Sequence, residues 1–184
     1  MKRTTLSLMR HAKSSWKNQN QSDHDRPLNE RGNRDAPEMA NRLKERQQIP
    51  DVILCSTARR TRETTAHLLS VFGEPVPQVV YSDSLYLASP NKLLTALHDL
   101  PDTALHAMIV AHNPGMEELS SLLSDTRSDI MPTCAIRQFS CACSLSSLAG
   151  IFSTESNQPP IMGERLSAFD IRLEYSDFPK SRDS

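Results

Sequence analysis

Three short apolar runs of the sequence each lead into cationic or imidazole side chains. The runs are residues 6–9, 52–55 and 107–111, and the side chains that follow them are Arg10, His11, Arg59, Arg60 and His112. A neutral imidazole can accept a phosphoryl group near physiological pH and form a covalent intermediate. Guanidinium groups stay charged and bind phosphoryl oxygens in pairs. These residue types therefore favour phosphoryl chemistry, provided that the fold brings them together.

The surrounding elements predict a fold that does so. Apolar runs bounded by polar residues, Pro or Gly predict strands over residues 6–9, 52–55, 79–81, 107–111, 135–145 and 169–175. Helical spacing of apolar residues predicts helices over 33–48 with Pro37 in the first turn, from about 59 to 72, after Ser89-Pro90, and after Asn113 as an N-cap. Strands that alternate with helices form a mostly parallel sheet, whose strand carboxyl ends meet at one edge. The histidines and arginines should converge there.

These residues also have simpler explanations. One Arg-His pair after a strand is explained equally well as the polar start of a loop, but three such endings are hard to explain as solvated surface. Cys55 is not placed for tyrosine-phosphatase chemistry, because the residue six positions later is Thr61 and not arginine. We interpret Cys55 as a buried apolar residue and His24, which lies in a charged segment, as solvated.

Length and composition limit the remaining possibilities. The 184 residues predict one domain over 1–184, with an irregular segment over 146–168 and a frayed tail over 176–184. A net charge of −1 argues against binding nucleic acid or an anionic membrane through bulk charge. The four cysteines lack Cys-x-x-Cys or zinc spacing, no apolar run approaches a membrane span, and no Asp/Glu cluster suits Mg²⁺. We expect a cytoplasmic monomer or weak dimer without metal or cofactor.

Four blocks of sequence, in order, resemble a known family. They are Leu8-Met9-Arg10-His11-Ala12-Lys13-Ser14-Ser15-Trp16, Asp25-Arg26-Pro27-Leu28-Asn29-Glu30-Arg31-Gly32, Cys55-Ser56-Thr57-Ala58-Arg59-Arg60-Thr61-Arg62-Glu63-Thr64 and Ile109-Val110-Ala111-His112-Asn113-Pro114. The chain is similar to the histidine phosphatase superfamily, with its phosphoglycerate-mutase-like fold, and more closely to its SixA-like branch, whose type member is a protein phosphohistidine phosphatase. The resemblance implies a three-layer α/β/α sandwich with a mostly parallel sheet.

The resemblance also implies a role for each matching residue. His11 matches the nucleophile that becomes phosphorylated, and Arg10, Arg59 and His112 match the other members of the phosphate pocket. Ser14 stands where the family usually places a hydroxyl that touches the phosphate. Whether Arg60, Arg62 or Lys13 also reaches the pocket stays open at this point. Ala12 replaces the glycine of the family's Arg-His-Gly, which we interpret as a trait of the SixA-like branch.

A second departure concerns the general acid. Mutase-like members carry a Glu that protonates the leaving oxygen, whereas the corresponding region, residues 81–86, offers only Asp83. A positioned acid contributes about 10²–10⁴-fold to the release of an alkoxide, and the imidazole of phosphohistidine leaves more easily. The interval between Tyr81 and Ala107 also has room for about one helix and no cap domain. These features favour a phosphatase for protein phosphohistidine. The alternatives are a small-molecule phosphomonoesterase, a mutase, and a catalytically weak phospho-ligand binding module.

Overall fold

The structure is a computed structural model that describes residues 3–126, 130–151 and 169–180. Most of the segment predicted to be irregular, residues 152–168, lies outside the described residues, as do residues 181–184 of the predicted frayed tail. The described part of that segment is helical: helix α5 spans Leu145–Leu148 and a 3₁₀ turn spans Ala149–Ile151. Among the described residues, no helix combines the length and the apolar character needed to cross a membrane.

Six strands form one sheet. They are β1 (Thr4–Arg10), β2 (Val52–Ser56), β3 (Gln78–Ser82), β4 (His106–Ala111), β5 (Ile136–Cys141) and β6 (Arg172–Asp177). Their order is β3-β2-β4-β1-β5-β6, the first four strands being parallel and β5 running antiparallel to both β1 and β6. The predicted α/β class with a mostly parallel sheet is thereby confirmed. Because β1 lies inside the sheet, its last residues reach the middle of the carboxyl edge.

Helices cover both faces of this sheet. They are α1 (Glu30–Glu45), α2 (Arg59–Phe72), α3 (Pro90–Thr95), α4 (Gly115–Leu123) and α5. Alternate strand residues point to opposite faces, and two apolar clusters result. Leu8 packs in one cluster with apolar residues of α3, α4 and α5, whereas Met9 packs in the other with those of α1 and α2. The arrangement is the predicted three-layer sandwich. β1, β2 and β4 are buried along almost their whole length, as parallel strands between two helical layers must be.

Several element boundaries differ from the predicted ones. Helix α1 begins at Glu30, because the side chain of Asn29 accepts a hydrogen bond from the Gly32 N–H and caps the helix. Pro37 consequently lies inside the helix and not in its first turn. The strand predicted over 135–145 spans Ile136–Cys141. The strand predicted over 169–175 spans Arg172–Asp177, so the first two residues of the predicted frayed tail, Ser176 and Asp177, belong to a strand that pairs with β5.

The predicted N-cap of α4 is also wrong. Pro114 occupies that position without a side-chain hydrogen bond, and the peptide bond that precedes it is cis. The side chain of Asn113 donates instead to the carbonyl of Met131 over 3.1 Å. Its amide is therefore used to tie the start of α4 to the segment before β5 and does not accept from the first turn of the helix.

Candidate active site

The main chain fixes the end of β1 on three sides. The His11 N–H donates to the Ala111 carbonyl of β4, and the Cys134 N–H lies 3.1 Å from both the Arg10 and the His11 carbonyl oxygens. The next residue, Ala12, is fully buried and donates its N–H to the hydroxyl of Thr64 in α2. His11 therefore stands at a defined point of the carboxyl edge, and its side chain is only 7% exposed.

Hydrogen bonds determine which nitrogen of each imidazole carries the proton. Nδ1 of His11 lies 2.8 Å from the carbonyl oxygen of Ala12, which can only accept, so Nδ1 is protonated and Nε2 keeps its lone pair. In His112, at the end of β4, Nδ1 accepts from a guanidinium, so Nε2 is the protonated atom and donates to Ser56 Oγ over 2.9 Å. The ring centroids of the two histidines are 5.1 Å apart.

The guanidinium between the two histidines belongs to Arg60. Its Nε donates to Nε2 of His11 and its Nη2 donates to Nδ1 of His112, both over 3.2 Å, and the residue is 2% exposed. Arg59, the predicted pocket arginine, instead points outward, has a side chain 54% exposed and pairs with Glu63 of its own helix. The structure thus brings Arg10, His11 and His112 together as predicted, but with Arg60 in the position expected for Arg59.

Asp23 holds Arg60 from the opposite side. Its carboxylate accepts from Nη2 over 2.9 Å and its carbonyl accepts from Nη1. The hydroxyl of Tyr86 donates to the same carboxylate over 2.7 Å, and the Tyr86 ring stands edge-on to His112 with centroids 5.3 Å apart. Burial favours the neutral acid, but the hydrogen bond from Tyr86 and the charge of Arg60 outweigh it and lower the pKa of Asp23 to about 2. Asp23 is therefore an anion at neutral pH.

Two further arginines each leave one buried N–H donor unused. Arg10 donates its Nη1 to the Met131 carbonyl, whereas its buried Nε has no partner among the described residues. Arg26, 7% exposed, binds Asp23 through Nε and Nη2, and its buried Nη1 is likewise without a partner in the described parts of the chain. A buried N–H is normally hydrogen-bonded. Unpaired donors on two arginines beside His11 therefore indicate a site for an anion.

Burial and positive charge also govern the ionisation of the histidines. Desolvation, reinforced by Arg60 and Arg10 and opposed by the bond to Ala12, lowers the pKa of His11 to about 3. Desolvation together with the neighbouring His11 and Arg60 lowers the pKa of His112 to about 2. Both imidazoles are therefore neutral at pH 7. Nε2 of His11 therefore carries an unprotonated lone pair within a cationic pocket.

The remaining predicted residues lie around this centre. Ser14 is buried, and its backbone forms an antiparallel bridge with that of Leu28. Asp83 is exposed and accepts a hydrogen bond from the Thr57 hydroxyl. The other two cationic residues near the pocket in sequence, Lys13 and Arg62, are exposed.

Sequence reasoning missed three residues of the pocket. Arg26 and Asp23 lie in or beside a block that carries the family resemblance but was given no role, and Tyr86 follows Asp83 by three positions. His24, interpreted as solvated, is half-buried; its Nε2 lies 3.1 Å from Thr57 Oγ1 and its ring packs on Tyr86. In the described residues, no group of three or more His, Cys, Asp or Glu could hold a metal ion.

Fold and site together define an α/β protein with a cationic pocket and two neutral histidines at the carboxyl edge of its sheet. A model of the histidine phosphatase superfamily (branch 1) matches residues 6–83. An uncharacterized protein of Mycobacterium tuberculosis is 35% identical over 116 residues, which are 63% of this chain and 70% of that protein. The chain belongs to the histidine phosphatase superfamily.

Two further comparisons agree with this membership. An uncharacterized chloroplast protein of Arabidopsis thaliana is 38% identical over 128 residues, 65% of this chain, and the match spans 58% of that protein's length. The solved structure of a candidate phosphohistidine phosphatase SixA from Agrobacterium tumefaciens is 26% identical and superposes with a TM-score of 0.72, covering 96% of this chain and 99% of that one. The predicted similarity to the SixA-like branch is confirmed.

Proposed function

We propose that this chain is a phosphatase that uses His11 as its nucleophile and hydrolyses phosphohistidine on proteins. The observation that carries the proposal is the hydrogen bond of His11 Nδ1 to the Ala12 carbonyl, which leaves the lone pair on Nε2, facing Arg60 and His112. Similarity to the candidate phosphohistidine phosphatase of Agrobacterium tumefaciens supports the same substrate class. The reaction needs no metal or cofactor, because nucleophile and charge stabilisation both come from side chains.

The reaction proceeds in two transfers. Nε2 of His11 attacks phosphorus while the bond from phosphorus to the substrate nitrogen breaks. The substrate ring, protonated on its other nitrogen, keeps the electron pair of the broken bond and leaves as neutral imidazole. Donors of Arg60, Arg10 and Arg26 bind the phosphoryl oxygens as charge shifts onto them. A water molecule then attacks phospho-His11, the new P–O bond replaces the P–Nε2 bond, and inorganic phosphate takes up the proton that the water releases. His11 returns to its neutral form.

The carboxylates around the pocket favour a nitrogen leaving group. Asp23 has its pKa lowered to about 2, so it is ionised at neutral pH and cannot donate a proton there. Asp83, the predicted acid, is exposed and bonded to Thr57. In the described residues no hydrogen bond joins a carboxyl group to either histidine. An alkoxide leaving group requires a proton donor more than an imidazole does, and Asp83 as that donor stays a prediction.

The test is to trap the enzyme during turnover. The wild type and His11→Ala are each mixed with free phosphohistidine, with a phosphohistidine-bearing protein and with an aryl phosphate. We expect an acid-labile phosphoenzyme in the wild type only, and a higher kcat/KM for both phosphohistidine substrates than for the aryl phosphate. Arg59→Ala is the control, because this exposed arginine lies outside the two-histidine centre.

Other outcomes select the alternative functions. A phosphoenzyme formed from the aryl phosphate alone would keep the mechanism and assign a small-molecule phosphomonoesterase. Phosphate binding without phosphoenzyme or turnover from any substrate would assign a phospho-ligand binding module.

A further inference from the structure

Trp16 is an exposed aromatic residue in an unusual position. It is the only tryptophan of the sequence, and it is 70% exposed. One face of its ring is covered by the guanidinium of Arg26, whose Cζ lies 3.5 Å from the ring centroid. A guanidinium stacked on an indole is an attractive cation–π contact. The ring is therefore held in place while most of its surface faces solvent.

Arg26 connects this ring to the pocket. The guanidinium binds Asp23, the carboxylate that also holds Arg60, and its positive charge contributes to the lowered pKa of His11. The unpaired Nη1 of Arg26 is among the donors assigned to the phosphoryl group. Trp16 therefore packs directly against a residue of the pocket.

Leu87 is a second exposed apolar residue next to the pocket. It is 55% exposed and follows Tyr86, whose ring packs on His112. Its φ of +48° is uncommon for a residue with a Cβ, and such strain persists only where the surroundings impose it. The surroundings are tight here, because a Cβ on Gly115 would lie 1.9 Å from the carbonyl oxygen of Ala88. The turn that presents Leu87 is therefore packed against the start of α4.

The topology places both residues at one edge of the sheet. Trp16 follows β1, and Leu87 follows β3 and its 3₁₀ turn, Asp83–Leu85. Because β1 and β3 run in the same direction, the loops that follow them leave the same edge, where His11 and His112 end their strands. We propose that Trp16 and Leu87 form an apolar rim that binds the aliphatic or aromatic side chains flanking a phosphohistidine in a protein substrate. This inference rests on the proposed function and deepens it.

The charges of the site favour this occupant over a small phosphate compound. Two arginines of the pocket, Arg26 and Arg60, are buried and match a phosphoryl group, whereas Trp16 and Leu87 are apolar and exposed. A small phosphorylated molecule fills the pocket and leaves the rim in water. A peptide segment with one anionic side chain between apolar neighbours matches both parts, and tryptophan is among the residue types that most often dominate binding energy.

The test measures coupling between the rim and the substrate flanks. Three substrates are compared: free phosphohistidine, a nine-residue peptide with one phosphohistidine between leucines, and the same peptide with serines in place of the leucines. We expect the wild type to prefer the leucine peptide over the serine peptide about tenfold in kcat/KM. Trp16→Ala should reduce this preference to about twofold or less and change kcat/KM for free phosphohistidine less than about threefold. Trp16→Phe should keep most of the preference, and Leu87→Ala should lose part of it.

Val76→Ala is the matched control, because Val76 is 51% exposed and precedes β3, at the opposite edge of the sheet. It should keep the full preference for the leucine peptide. Equal hydrolysis of the two peptides by the wild type would refute the proposal that the rim binds the side chains flanking the phosphohistidine. So would an equal loss on all three substrates in Trp16→Ala, which would mean that Trp16 acts through Arg26 on the phosphoryl group. No turnover of any phosphohistidine substrate would refute the proposed function. In that case, peptide binding to the His11→Ala variant tests whether Trp16 and Leu87 bind the substrate flanks.

Binding is measured with His11→Ala, which keeps Trp16 as the only tryptophan and cannot form the phosphoenzyme. The emission of Trp16 should shift when the leucine peptide is added and should stay unchanged with free phosphohistidine. The serine peptide should bind about tenfold more weakly. Equal affinity for the two peptides in this titration would overturn the rim independently of any activity.

Discussion

The Nε–H group of Arg60 donates to Nε2 of His11 over 3.2 Å, so one guanidinium occupies the lone pair that the proposed reaction requires. The same guanidinium donates to Nδ1 of His112. An incoming phosphoryl group offers stronger, anionic acceptors to these donors. In the proposed reaction, substrate binding therefore frees the lone pair of His11 for attack when Arg60 turns to the phosphoryl oxygens.

Neighbouring arginines of α2 should differ sharply in their effect on activity. Arg60→Lys should lower kcat/KM for phosphohistidine about 10²–10³-fold, because a lysine cannot place two donors between the histidines. Arg59→Lys should change it less than about threefold, since the side chain of Arg59 is exposed and pairs with Glu63. Steady-state kinetics on both variants, with circular dichroism to verify folding, make the comparison. A larger loss in Arg59→Lys would return the pocket role to Arg59.

Asp23 should matter for activity without touching the phosphoryl group. Its carboxylate and carbonyl fix the guanidinium of Arg60. Asp23→Asn removes the charge, and a misplaced arginine should lower kcat/KM by up to about a hundredfold. Asp25→Asn is the control, because Asp25 is two residues away and exposed. Equal kinetics in the two variants would show that Arg60 is held well enough by the rest of the site.

His11 should stay neutral well below physiological pH. Burial and the neighbouring arginines lower its pKa to about 3, so the imidazole is unprotonated throughout the range from pH 7.5 to pH 5. Nuclear magnetic resonance of imidazole-labelled protein should show no titration of His11 in that range. Bound inorganic phosphate should raise the pKa of His11, because a nearby anion stabilises the imidazolium. A midpoint above pH 6 in the free protein would contradict this prediction.

The stability of the fold should decline as the pH falls below the pKa of an ordinary histidine side chain. Burial lowers the pKa of His11, of His112 and of His106, the last to about 4. Below about pH 6.5 the unfolded chain therefore binds more protons than the folded one. The stabilisation is complete above that pH and is lost progressively as the pH falls through the folded-state pKa values, about 4 for His106, about 3 for His11 and about 2 for His112. Each histidine contributes a slope of up to about 1.4 kcal/mol per pH unit.

Urea unfolding between pH 7 and pH 4.5 measures that slope, and His106→Gln isolates one contribution. His106 lies outside the two-histidine centre; its Nε2 bonds to Ser7 Oγ over 2.7 Å. In His106→Gln, the free energy of unfolding should fall less steeply with decreasing pH, by about the slope that one histidine contributes. An unchanged slope would mean that His106 does not take up a proton on unfolding.

The contact between α1 and the loop after β1 should not tolerate a methyl group. A Cβ on Gly32 would lie 2.2 Å from the Lys13 carbonyl oxygen, and that carbonyl is backbone that accepts from the Asn29 N–H. Gly32→Ala should lower the free energy of unfolding by about 2–4 kcal/mol. Glu45→Ala, at the exposed end of the same helix, should change it by less than about 0.5 kcal/mol. Chemical unfolding of both variants gives the difference.

Much of the site could be predicted from strand endings. The apolar runs of β1 and β4 end in Arg10, His11 and His112, and parallel strands necessarily bring their carboxyl ends to one edge. Residues supplied by loops were harder to predict, because loop conformation depends on distant contacts. Arg26 and Asp23 reach the pocket through the segment between β1 and α1, and Tyr86 reaches it after a 3₁₀ turn, so no periodicity in the sequence marked them.

The sequence by itself determined the α/β class and the succession of strands and helices along the chain, because both follow from local apolar patterns. It also determined the residue types that meet at the sheet edge, because parallel strands with right-handed connections bring their carboxyl ends together. Only the tertiary structure decided which arginine of α2 enters the pocket. Consecutive residues of a helix point about 100° apart, so Arg59 and Arg60 cannot share one environment. The burial of Thr61, Thr64 and Leu68 against the sheet and α1 sets the rotation of α2 that turns Arg60 inward.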